Sequence, residues 1–531
     1  MVAASELTYN TNATALEMAE TIFGDGVEVR DATYTGDSRA SAIYSDGDSI
    51  APGATPADTG IILSTGQATA FTNSTGQANQ SNSQTTANNG PNNDPTFNAA
   101  AGQQTFDASY LDVTFVPDAS VMTLQFVFAS EEYPEFQNSI YQDFVGVWVN
   151  GQMVELEFGD GDTDPGNVNS TNNANLFLDN SNSDFNTEMD GLTVTMTLTM
   201  QVNPGVENDI RIGIADVSDG SYDSNLLIAA GSAQTSVIAN TDSFQVGPNE
   251  TRVIDVLDND SSSNNSTLTV THINGTAVSA GDTITLPTGQ QVQLNADGTL
   301  TMIGDGDAED FTFTYTASDG INSAVGIVEA TSVPCFVAGT RLTTDAGQTP
   351  VEALQIGDLV MTRDQGLQPV RWVGQRTVAA QGNLAPIHIL AQTLSDYDGH
   401  GDLLVSPQHR ILLRDGLAEM LFGASEVLVA AKDLVNDHSV RRKTGGQVTY
   451  VHVMFDNHQL VDSEGILTES FLPGPQTSRQ FSPDVLSELR EIFPELDPLT
   501  GKGYGPAARP SLRKHEAKLL CAAITSREQM Q

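Results

Sequence analysis

Three stretches in the second half of the chain contain the side chains that decide its interpretation. Residues 335–374 read CFVAGTRLTTDAGQTPVEALQIGDLVMTRDQGLQPVRWVG, residues 403–413 read LLVSPQHRILL, and residues 450–474 read YVHVMFDNHQLVDSEGILTESFLPG. They supply a thiol, several hydroxyls and three imidazoles among their side chains. Nucleophilic acyl chemistry uses these residue types, so this part of the chain is the candidate for function.

The charge of the chain changes abruptly at Cys335. The 531 residues have a formal net charge of −46 and a pI near 4.1, which argues against nucleic acid or an anionic membrane surface as a partner, because both would repel the protein. Of the 22 basic residues, 18 follow Cys335. The preceding part contains no lysine and only four arginines, Arg30, Arg39, Arg211 and Arg252. Such a step predicts a domain boundary at Cys335.

Neither a disulfide framework nor a membrane segment is visible in the sequence. Cys335 and Cys521 are the two cysteines, too few for the dense bridging of small secreted domains. The first residues lack a basic and apolar signal, and no run of about 18 apolar residues is present. The chain is therefore predicted to be cytosolic or exported without a cleaved N-terminal signal, and its acidic, lysine-free first half favours a secreted or cell-surface location.

Residues 1–235 are predicted to form a β domain, with apolar strands separated by turns that are rich in Asn, Ser, Thr, Gly and Asp. The tract at 64–99 has too few apolar residues to offset the entropy of ordering, so we expect a long loop or a disordered insertion. The motifs VFASEEYPEF (127–136) and IGIADVSDGSYDSNLLIAAG (212–231) resemble the choice-of-anchor L domain, a module of bacterial surface and secreted proteins.

Residues 236–334 alternate short strands with turns at the spacing of a β-sandwich. Their pieces VIDVLDND, LNADGTLT and FTYTASDG resemble a bacterial cadherin-like or tandem immunoglobulin-type repeat, a module that usually acts as a spacer. Residues 475–531 are expected to form a short α-helical tail, in which Ser482 caps a helix with Pro483 at its first position. This tail is the only part of the chain with a convincing helical pattern.

The three stretches quoted first resemble, in order and over residues 335–474, the blocks of the Hint domain of hedgehog proteins and inteins. Cys335 matches the first position of the opening block, Ser406 and His409 the two slots of the second block, and His458 the histidine of the late block. The resemblance implies an all-β fold. The whole chain is thus predicted to be mainly β and multidomain, with β-sandwich-type domains before Cys335.

The resemblance also implies a reaction that requires no cofactor. The thiol of Cys335 would attack the carbonyl of Pro334 and convert that peptide bond into a thioester. His409 would protonate the departing nitrogen, Ser406 would hydrogen-bond and twist the amide, and His458 would assist the nucleophile that opens the thioester. The acyl acceptor stays open between water, a thiol, an amine and a surface hydroxyl, as does a cell-surface or extracellular partner.

Two departures from the pattern argue against splicing and against an identified sterol acceptor. After His458 comes Gln459 instead of the Asn at which splicing inteins end, and the chain continues to Gln531, so splicing is not expected. The adduct-recognition segment of hedgehog proteins cannot be identified in residues 470–531. A single cleavage before Cys335, as in hedgehog processing, is the closer analogue.

Structural explanations compete with each of these roles. Cys335 could be a buried thiol, Ser406 a turn residue, and His409 or His458 a hydrogen-bonded core histidine. His388 and His452 match no slot of the family and are interpreted as structural. A zinc site is disfavoured, because no C-x-x-C or H-x-x-x-H spacing exists.

Asp216, Asp219 and Asp223 lie close together in a turn-rich loop, where oxygen ligands at short spacing suit calcium as well as they suit solvated turns. The adjacent pair Glu131 and Glu132 needs a partner if it is buried, since desolvated carboxylates are unfavourable. The leading hypothesis is a self-cleaving surface or secreted protein. Its rival is a calcium-stabilised structural or adhesive protein with an inactive Hint fold.

Overall fold

The computed structural model describes most of the chain before residue 473 and little after it. The described residues are 2–137, 139–156, 158–159, 161–245, 251–305, 311–331, 335–380, 385–391, 394, 401–414, 416–422, 424–436, 438–472, 507–512, 517 and 520. The chain divides into two compact units, each treated by itself below. The first comprises 1–242, 253–302 and 311–329; the second comprises 243–252, 303–310 and 330–531.

The first 242 residues contain two antiparallel sheets. The strands are β1 (Thr8–Asn10), β2 (Val27–Thr35), β3 (Ser41–Ser45), β4 (Gly60–Ser64), β5 (Thr105–Pro117), β6 (Val121–Ser130), β7 (Phe144–Val149), β8 (Gln152–Met153), β9 (Phe177–Asp179), β10 (Gly191–Thr193), β11 (Met196–Gln201), β12 (Asn208–Val217), β13 (Ser224–Ala229) and β14 (Val237–Ile238). One sheet has the order β1-β3-β4-β13-β6-β10-β9, with β11 on β6, and the other the order β2-β5-β12-β7-β8. Phe126 of the first sheet and Ile212 of the second share one buried core, so the two sheets form a sandwich.

Two of the three α-helices in the described part of this unit begin with a side-chain cap. Helix α1 (Ala15–Ile22) starts with a capping box in which the N–H of Glu17 donates to Thr14 Oγ1 and the N–H of Thr14 donates to Glu17 Oε2. Helix α2 (Gly47–Ile50) is a single turn, and α3 (Pro95–Ala101) has Asp94 as its N-cap. The expectation of a convincing helix only in the tail was therefore wrong, because it overlooked these short capped segments.

The low-complexity tract contains little regular structure. A 3₁₀ helix covers Ala68–Phe71, α3 begins at Pro95, and the residues between are turns and irregular backbone. Polar side chains tie the tract to its surroundings: the N–H and the hydroxyl of Thr86 donate to Asp223, and Gln84 Nε2 donates to the carbonyl of Ala70 at 2.9 Å. Hydrogen bonds thus hold the polar part of the tract, whereas Phe71 and Phe97 are buried in hydrophobic clusters.

Residues 242–331 add ten short strands. They are β15 (Asp242–Gln245), β16 (Thr251–Ile254), β17 (Ser261–Ser262), β18 (Thr269–Ile273), β19 (Thr276–Ala277), β20 (Thr283–Thr285), β21 (Gln291–Leu294), β22 (Leu300–Ile303), β23 (Phe311–Ser318) and β24 (Ser323–Thr331). Strands β24, β23, β18 and β19 lie side by side in one sheet, and β22, β21 and β20 in another. The bulk of this segment belongs to the first unit.

The second unit contains two further sheets after Cys335. Its strands are β25 (Phe336–Val337), β26 (Arg341–Thr344), β27 (Gly347–Pro350), β28 (Leu359–Thr362), β29 (Gly366–Pro369), β30 (Trp372–Ala379), β31 (Ile387–Ile389), β32 (Leu403–Val405), β33 (Arg410–Arg414), β34 (Glu426–Ala430), β35 (Val440–Arg442), β36 (Gln447–Met454), β37 (Leu460–Ser463) and β38 (Ile466–Glu469). The first sheet has the order β30-β36-β25-β32-β31-β35. The second has the order β27-β26-β28-β37-β38-β33-β34, with β29 on β28. Val451 of the first sheet and Ile411 of the second lie in one shared hydrophobic core.

Helix α4 (Gly416–Phe422) lies between β33 and β34 in the second unit. Most of the predicted helical tail lies outside the described residues, as do Ser482, Pro483 and Cys521. Ser511 forms a β-bridge with Leu428. The mainly β fold class predicted from the sequence is confirmed. No helix in the described ranges is long and apolar enough to span a membrane.

Candidate active site

Cys335 lies directly before strand β25, the strand between β36 and β32 in its sheet. It is 6% exposed, forms no disulfide, and packs against Ala380, Val448 and Tyr450. Its place beside a central strand fixes the backbone on its C-terminal side. The residue before it, Pro334, lies outside the described residues.

Ser406 binds the backbone of Cys335 on both sides. The peptide N–H of Cys335 donates to Ser406 Oγ at 2.8 Å, and the N–H of Ser406 donates to the carbonyl of Cys335 at 2.9 Å. The pairing of Phe336 with Val405 in adjacent strands sets this register. The nitrogen held in this way belongs to the peptide bond that is predicted to be cleaved.

His409 follows Ser406 through a β-turn. The N–H of His409 donates to the carbonyl of Ser406 at 3.1 Å, and Pro407 occupies the second turn position, where its fixed φ favours this geometry. The imidazole lies against Phe336, with 4.4 Å between ring centroids. The sequence spacing S-P-Q-H thus brings the hydroxyl and the imidazole into one neighbourhood.

The imidazole of His409 is buried without hydrogen bonds. The residue is 1% exposed, and within the described ranges neither ring nitrogen has a hydrogen-bond partner. Burial lowers its pKa to about 4, although the negative charge of Glu469 acts in the opposite direction. A buried and unsatisfied imidazole is unfavourable unless something occupies the space that it faces.

Glu469 is a site residue that sequence reasoning missed. It is 1% exposed, and its Oε1 accepts the backbone N–H of Arg410 at 2.9 Å while the Arg410 guanidinium lies 3.3 Å from Oε2. Burial alone would raise its pKa, but Arg410 and the neighbouring histidines His458 and His409 lower it to about 2. A buried carboxylate therefore stands close to His409, and no local motif in the sequence announced the pairing.

His458 is held by hydrogen bonds at both ring nitrogens. Nδ1 accepts the N–H of Ala508 at 2.9 Å, so Nε2 carries the proton and donates to the carbonyl of Ser470 at 3.1 Å. Nε2 also lies 3.5 Å from Glu469 Oε2. His458 is thus part of a buried network with Glu469.

His452, which the sequence interpretation left as structural, is the imidazole next to the thiol. Its Nε2 lies 3.6 Å from Cys335 Sγ. The ring packs against Trp372 and Phe471, with centroid distances of 6.3 and 5.3 Å. Its position in the late stretch was the available signal, but no family slot pointed to it.

Residues 334–475 match the family model of the Hint domain. The models of the choice-of-anchor L domain and the bacterial Ig domain match residues 6–234 and 233–331. These matches confirm the three resemblances. Two solved structures are similar to this chain, each with a TM-score of 0.17: the gp41-1 intein, with 16% identity over 26% of this chain and 98% of its own, and the MchDnaB-1 intein, with 17% identity over 25% and 98%. Curated proteins yield no match.

The structure does not bring together the three aspartates that were predicted to bind calcium. Asp216 belongs to β12, Asp219 Oδ1 accepts the N–H of Ser221, and Asp223 accepts hydrogen bonds from Thr86. No group of three or more His, Cys, Asp or Glu side chains within the described ranges is arranged to hold a metal ion. Calcium binding stays a prediction.

Asp216 belongs instead to a buried group of carboxyls. It follows Ala215, which pairs with Phe144 of β7, and its side chain hydrogen-bonds Asp143, the residue that precedes β7. Glu132 Oε2 accepts the N–H of Asp143 at 3.0 Å. Burial and then repulsion from Asp143 raise the pKa of Glu132 and of Asp216, and burial likewise raises that of Asp143. Burial thus favours the protonated forms of these carboxyls.

Proposed function

We propose that the Hint domain cleaves its own chain between Pro334 and Cys335 through an N-to-S acyl shift. The observation that carries the proposal is the hydrogen bond from the Cys335 peptide N–H to Ser406 Oγ, at 2.8 Å. It places the hydroxyl of the family's second block on the nitrogen that must leave. A structural cysteine has no need of this contact.

The leaving nitrogen of an amide is poor for two reasons, which Ser406 and His409 address separately. Resonance ties the nitrogen lone pair to the carbonyl, and a hydrogen bond that holds the N–H out of the peptide plane weakens this conjugation. The nitrogen also departs only when it is protonated. Ser406 Oγ supplies the hold, and the buried imidazole of His409 is the candidate proton donor.

The low pKa of His409 suits a proton donor. An imidazolium with a pKa of about 4 is a strong acid and gives its proton readily to a nitrogen whose bond is breaking. The protonated form is scarce at neutral pH, and the ionised Glu469 favours it by electrostatic attraction. The described residues leave both ring nitrogens without a competing partner, so the side chain can face the reacting amide.

In the shift, the C–S bond to Cys335 forms as the C–N bond breaks, and the product is a thioester between the Pro334 carbonyl and the sulfur. A second nucleophile then takes the acyl group and regenerates the thiol. Water, a thiol, an amine or a surface hydroxyl each fits this step. His458 is fixed by its two hydrogen bonds and lies next to Glu469, so it supports the site through that carboxylate.

The bond proposed to be cleaved lies at the start of the Hint match and follows the choice-of-anchor L and bacterial Ig matches, an order that supports a processing role. The choice-of-anchor L match supports a surface protein, and in this proposal the reaction releases residues 1–334 or attaches them to the acceptor. The proposal therefore extends to a secreted or cell-surface protein that is processed once per chain.

Denaturing electrophoresis of the purified chain, with and without a small thiol, tests the proposal. The wild-type chain should yield fragments 1–334 and 335–531, faster with thiol, because a thiolate opens a thioester faster than water does. Cys335→Ala should stay whole, whereas Cys521→Ala, the matched control at the other cysteine, should cleave like wild type. Equal cleavage of the Cys335→Ala chain would refute the proposal, and an uncleaved but folded wild type would favour the structural alternative.

A further inference from the structure

None of the roles given above to Cys335, Ser406, His409 and His458 includes the removal of the thiol proton. Cys335 is 6% exposed, so bulk water is a poor acceptor for that proton. Nucleophilic cysteines are ordinarily activated by an adjacent base, because the thiolate and not the thiol attacks. The site must therefore contain a base close to the sulfur.

His452 is the imidazole at hydrogen-bond distance from the sulfur. Its Nε2 lies 3.6 Å from Cys335 Sγ, a separation that suits a hydrogen bond to sulfur. Tyr450 is another titratable neighbour of the thiol. Burial and the proximity of Cys335 raise the pKa of the Tyr450 hydroxyl above its usual value, so it stays protonated and is unsuited as a base. His409 lies within electrostatic range of His452.

Strand pairing explains why these two side chains meet. Strands β25 and β36 are antiparallel, with Phe336 opposite Val451 and Val337 opposite Tyr450. Continuing the register by one residue places Cys335 opposite His452. Directly opposed residues of antiparallel strands point to the same face, so the thiol and the imidazole are cross-strand neighbours.

Aromatic side chains enclose the His452 ring and fix its orientation. Phe471 meets it edge-on, at 76° and 5.3 Å, and Trp372 lies 6.3 Å away at 31°. The two rings are themselves 6.0 Å apart, and His452 is 8% exposed. A base held in a dry aromatic enclosure is pre-oriented toward the sulfur and shielded from competing water.

We propose that His452 is the catalytic base that accepts the Cys335 thiol proton, an inference that rests on the proposed self-cleavage. As Sγ bonds to the Pro334 carbonyl carbon, its proton passes to neutral His452 Nε2. As the carbon–nitrogen bond breaks, protonated His409 gives a proton to the Cys335 nitrogen. One positive charge thus moves from His409 to His452, and no further reactant is needed.

The test uses His452→Gln, which retains a polar group but cannot accept the proton, in the full chain with Cys521→Ala so that one thiol remains. General base catalysis contributes about 10²–10⁴-fold, so thioester formation, followed as cleavage with hydroxylamine, should slow by that factor. Added imidazole should partly rescue the smaller variant His452→Ala. His388→Gln, whose histidine pairs with Asp402 elsewhere in the domain, is the matched control and should cleave normally.

A second readout separates the base from the cleavage reaction. The rate at which iodoacetamide alkylates Cys335 reports the thiolate without any acyl shift, and at neutral pH it should fall at least tenfold in His452→Gln, with its pH dependence moved toward that of an ordinary thiol. Unchanged alkylation and cleavage in a folded His452→Gln chain would overturn this inference and leave the proposed function intact. If the wild-type chain does not cleave but the alkylation rate of Cys335 still depends on His452, the result would count against the proposed function alone.

Discussion

The two units of this protein bury carboxyl groups with opposite consequences. In the first unit, Glu132, Asp143 and Asp216 lie together, burial raises the pKa of all three, and repulsion from Asp143 raises those of Glu132 and Asp216 further. In the Hint domain, Glu469 is equally buried, yet Arg410 and His458 lower its pKa to about 2. The difference teaches that burial disfavours charge in both places, and that a neighbouring cation decides whether the charge survives.

The sequence composition accounts for this difference. The part before Cys335 has no lysine, and three of its four arginines pair with carboxylates outside the buried group: Arg30 with Glu28, Arg39 with Asp37, and Arg211 with Asp112. The arginines of these three ion pairs therefore do not offset the burial that raises the pKa values of the three carboxyls. The Hint domain, which contains 10 of the 22 basic residues, can keep a buried carboxylate ionised beside its histidines.

The largest expected effect on self-cleavage is at His409, the histidine that the ionised Glu469 supports. His409→Ala removes the candidate proton donor, so we expect self-cleavage to slow by about 10²–10⁴-fold, the usual contribution of general acid catalysis. The measurement is the rate of appearance of the fragment that begins at Cys335. His388→Ala, a histidine of the same domain that pairs with Asp402, is the control and should cleave normally.

A wild-type rate in a folded His409→Ala chain would break the comparison at this point. The buried charge of Glu469 would then contribute to stability alone, and the imidazole of His409 would have no chemical role.

The next effect is an opposite response of the two regions to pH. In the first unit, burial raises the pKa of Glu131 to about 9, so the folded state holds a proton that the unfolded state loses above about pH 4.5. Acidification from pH 8 to pH 5 should therefore stabilise this unit, by about 1.4 kcal/mol per pH unit for each such group. In the Hint domain, His409 and Glu469 have lowered pKa values, so the unfolded state takes up protons first and acidification below about pH 6.5 should destabilise the domain.

The two tryptophans of the chain allow each response to be measured alone. Trp148 lies in the first unit and Trp372 in the Hint domain. Urea unfolding followed by fluorescence in Trp372→Phe reports the first unit, and Trp148→Phe reports the Hint domain, both with Cys335→Ala to keep the chain whole. Shifts of the same sign would contradict the comparison.

A higher midpoint of the first unit with calcium, at matched ionic strength, would support the calcium site predicted around Asp216.

The smallest effect is expected at Ser406. Ser406→Ala removes the acceptor of the Cys335 N–H, and a net hydrogen-bond contribution of about 0.5–1.5 kcal/mol corresponds to cleavage that is about 2- to 13-fold slower. Ser406→Thr retains a hydroxyl and should cleave near the wild-type rate. If the Ser406→Ala and Ser406→Thr chains cleave at the same rate, Ser406 is only a turn residue and its hydrogen bond has no part in cleavage.

Local sequence patterns allowed the strand-rich architecture, the three domain resemblances and the neighbourhood of Ser406 and His409 to be predicted, because each depends on residues that are close in the chain. The cap of helix α1 was equally local, since Thr14 and Glu17 form the T-x-x-E signature, and it was overlooked. The low-complexity tract was predicted as a loop because hydrogen-bonded polar loops carry no apolar period.

Long-range pairing explains what the sequence could not supply. His452 meets Cys335 only through the register of β36 against β25, across 117 positions of sequence. Glu469 meets Arg410 across 59 positions. Asp216 meets Asp143 through β12 and β7, whereas the sequence suggested its near neighbours Asp219 and Asp223 as partners. In each case the partner is chosen by strand order, which single-sequence patterns do not encode.

The most direct test of the central claim is the identity of the two fragments after incubation of the folded chain with hydroxylamine at neutral pH. A thioester reacts with hydroxylamine, whereas an ordinary peptide bond does not. The account predicts a fragment 1–334 whose mass shows a hydroxamate at Pro334, and a second fragment whose N-terminal sequence is Cys-Phe-Val-Ala-Gly. A folded wild-type chain that stays whole after prolonged incubation, or one that is cut at any other bond, would contradict it.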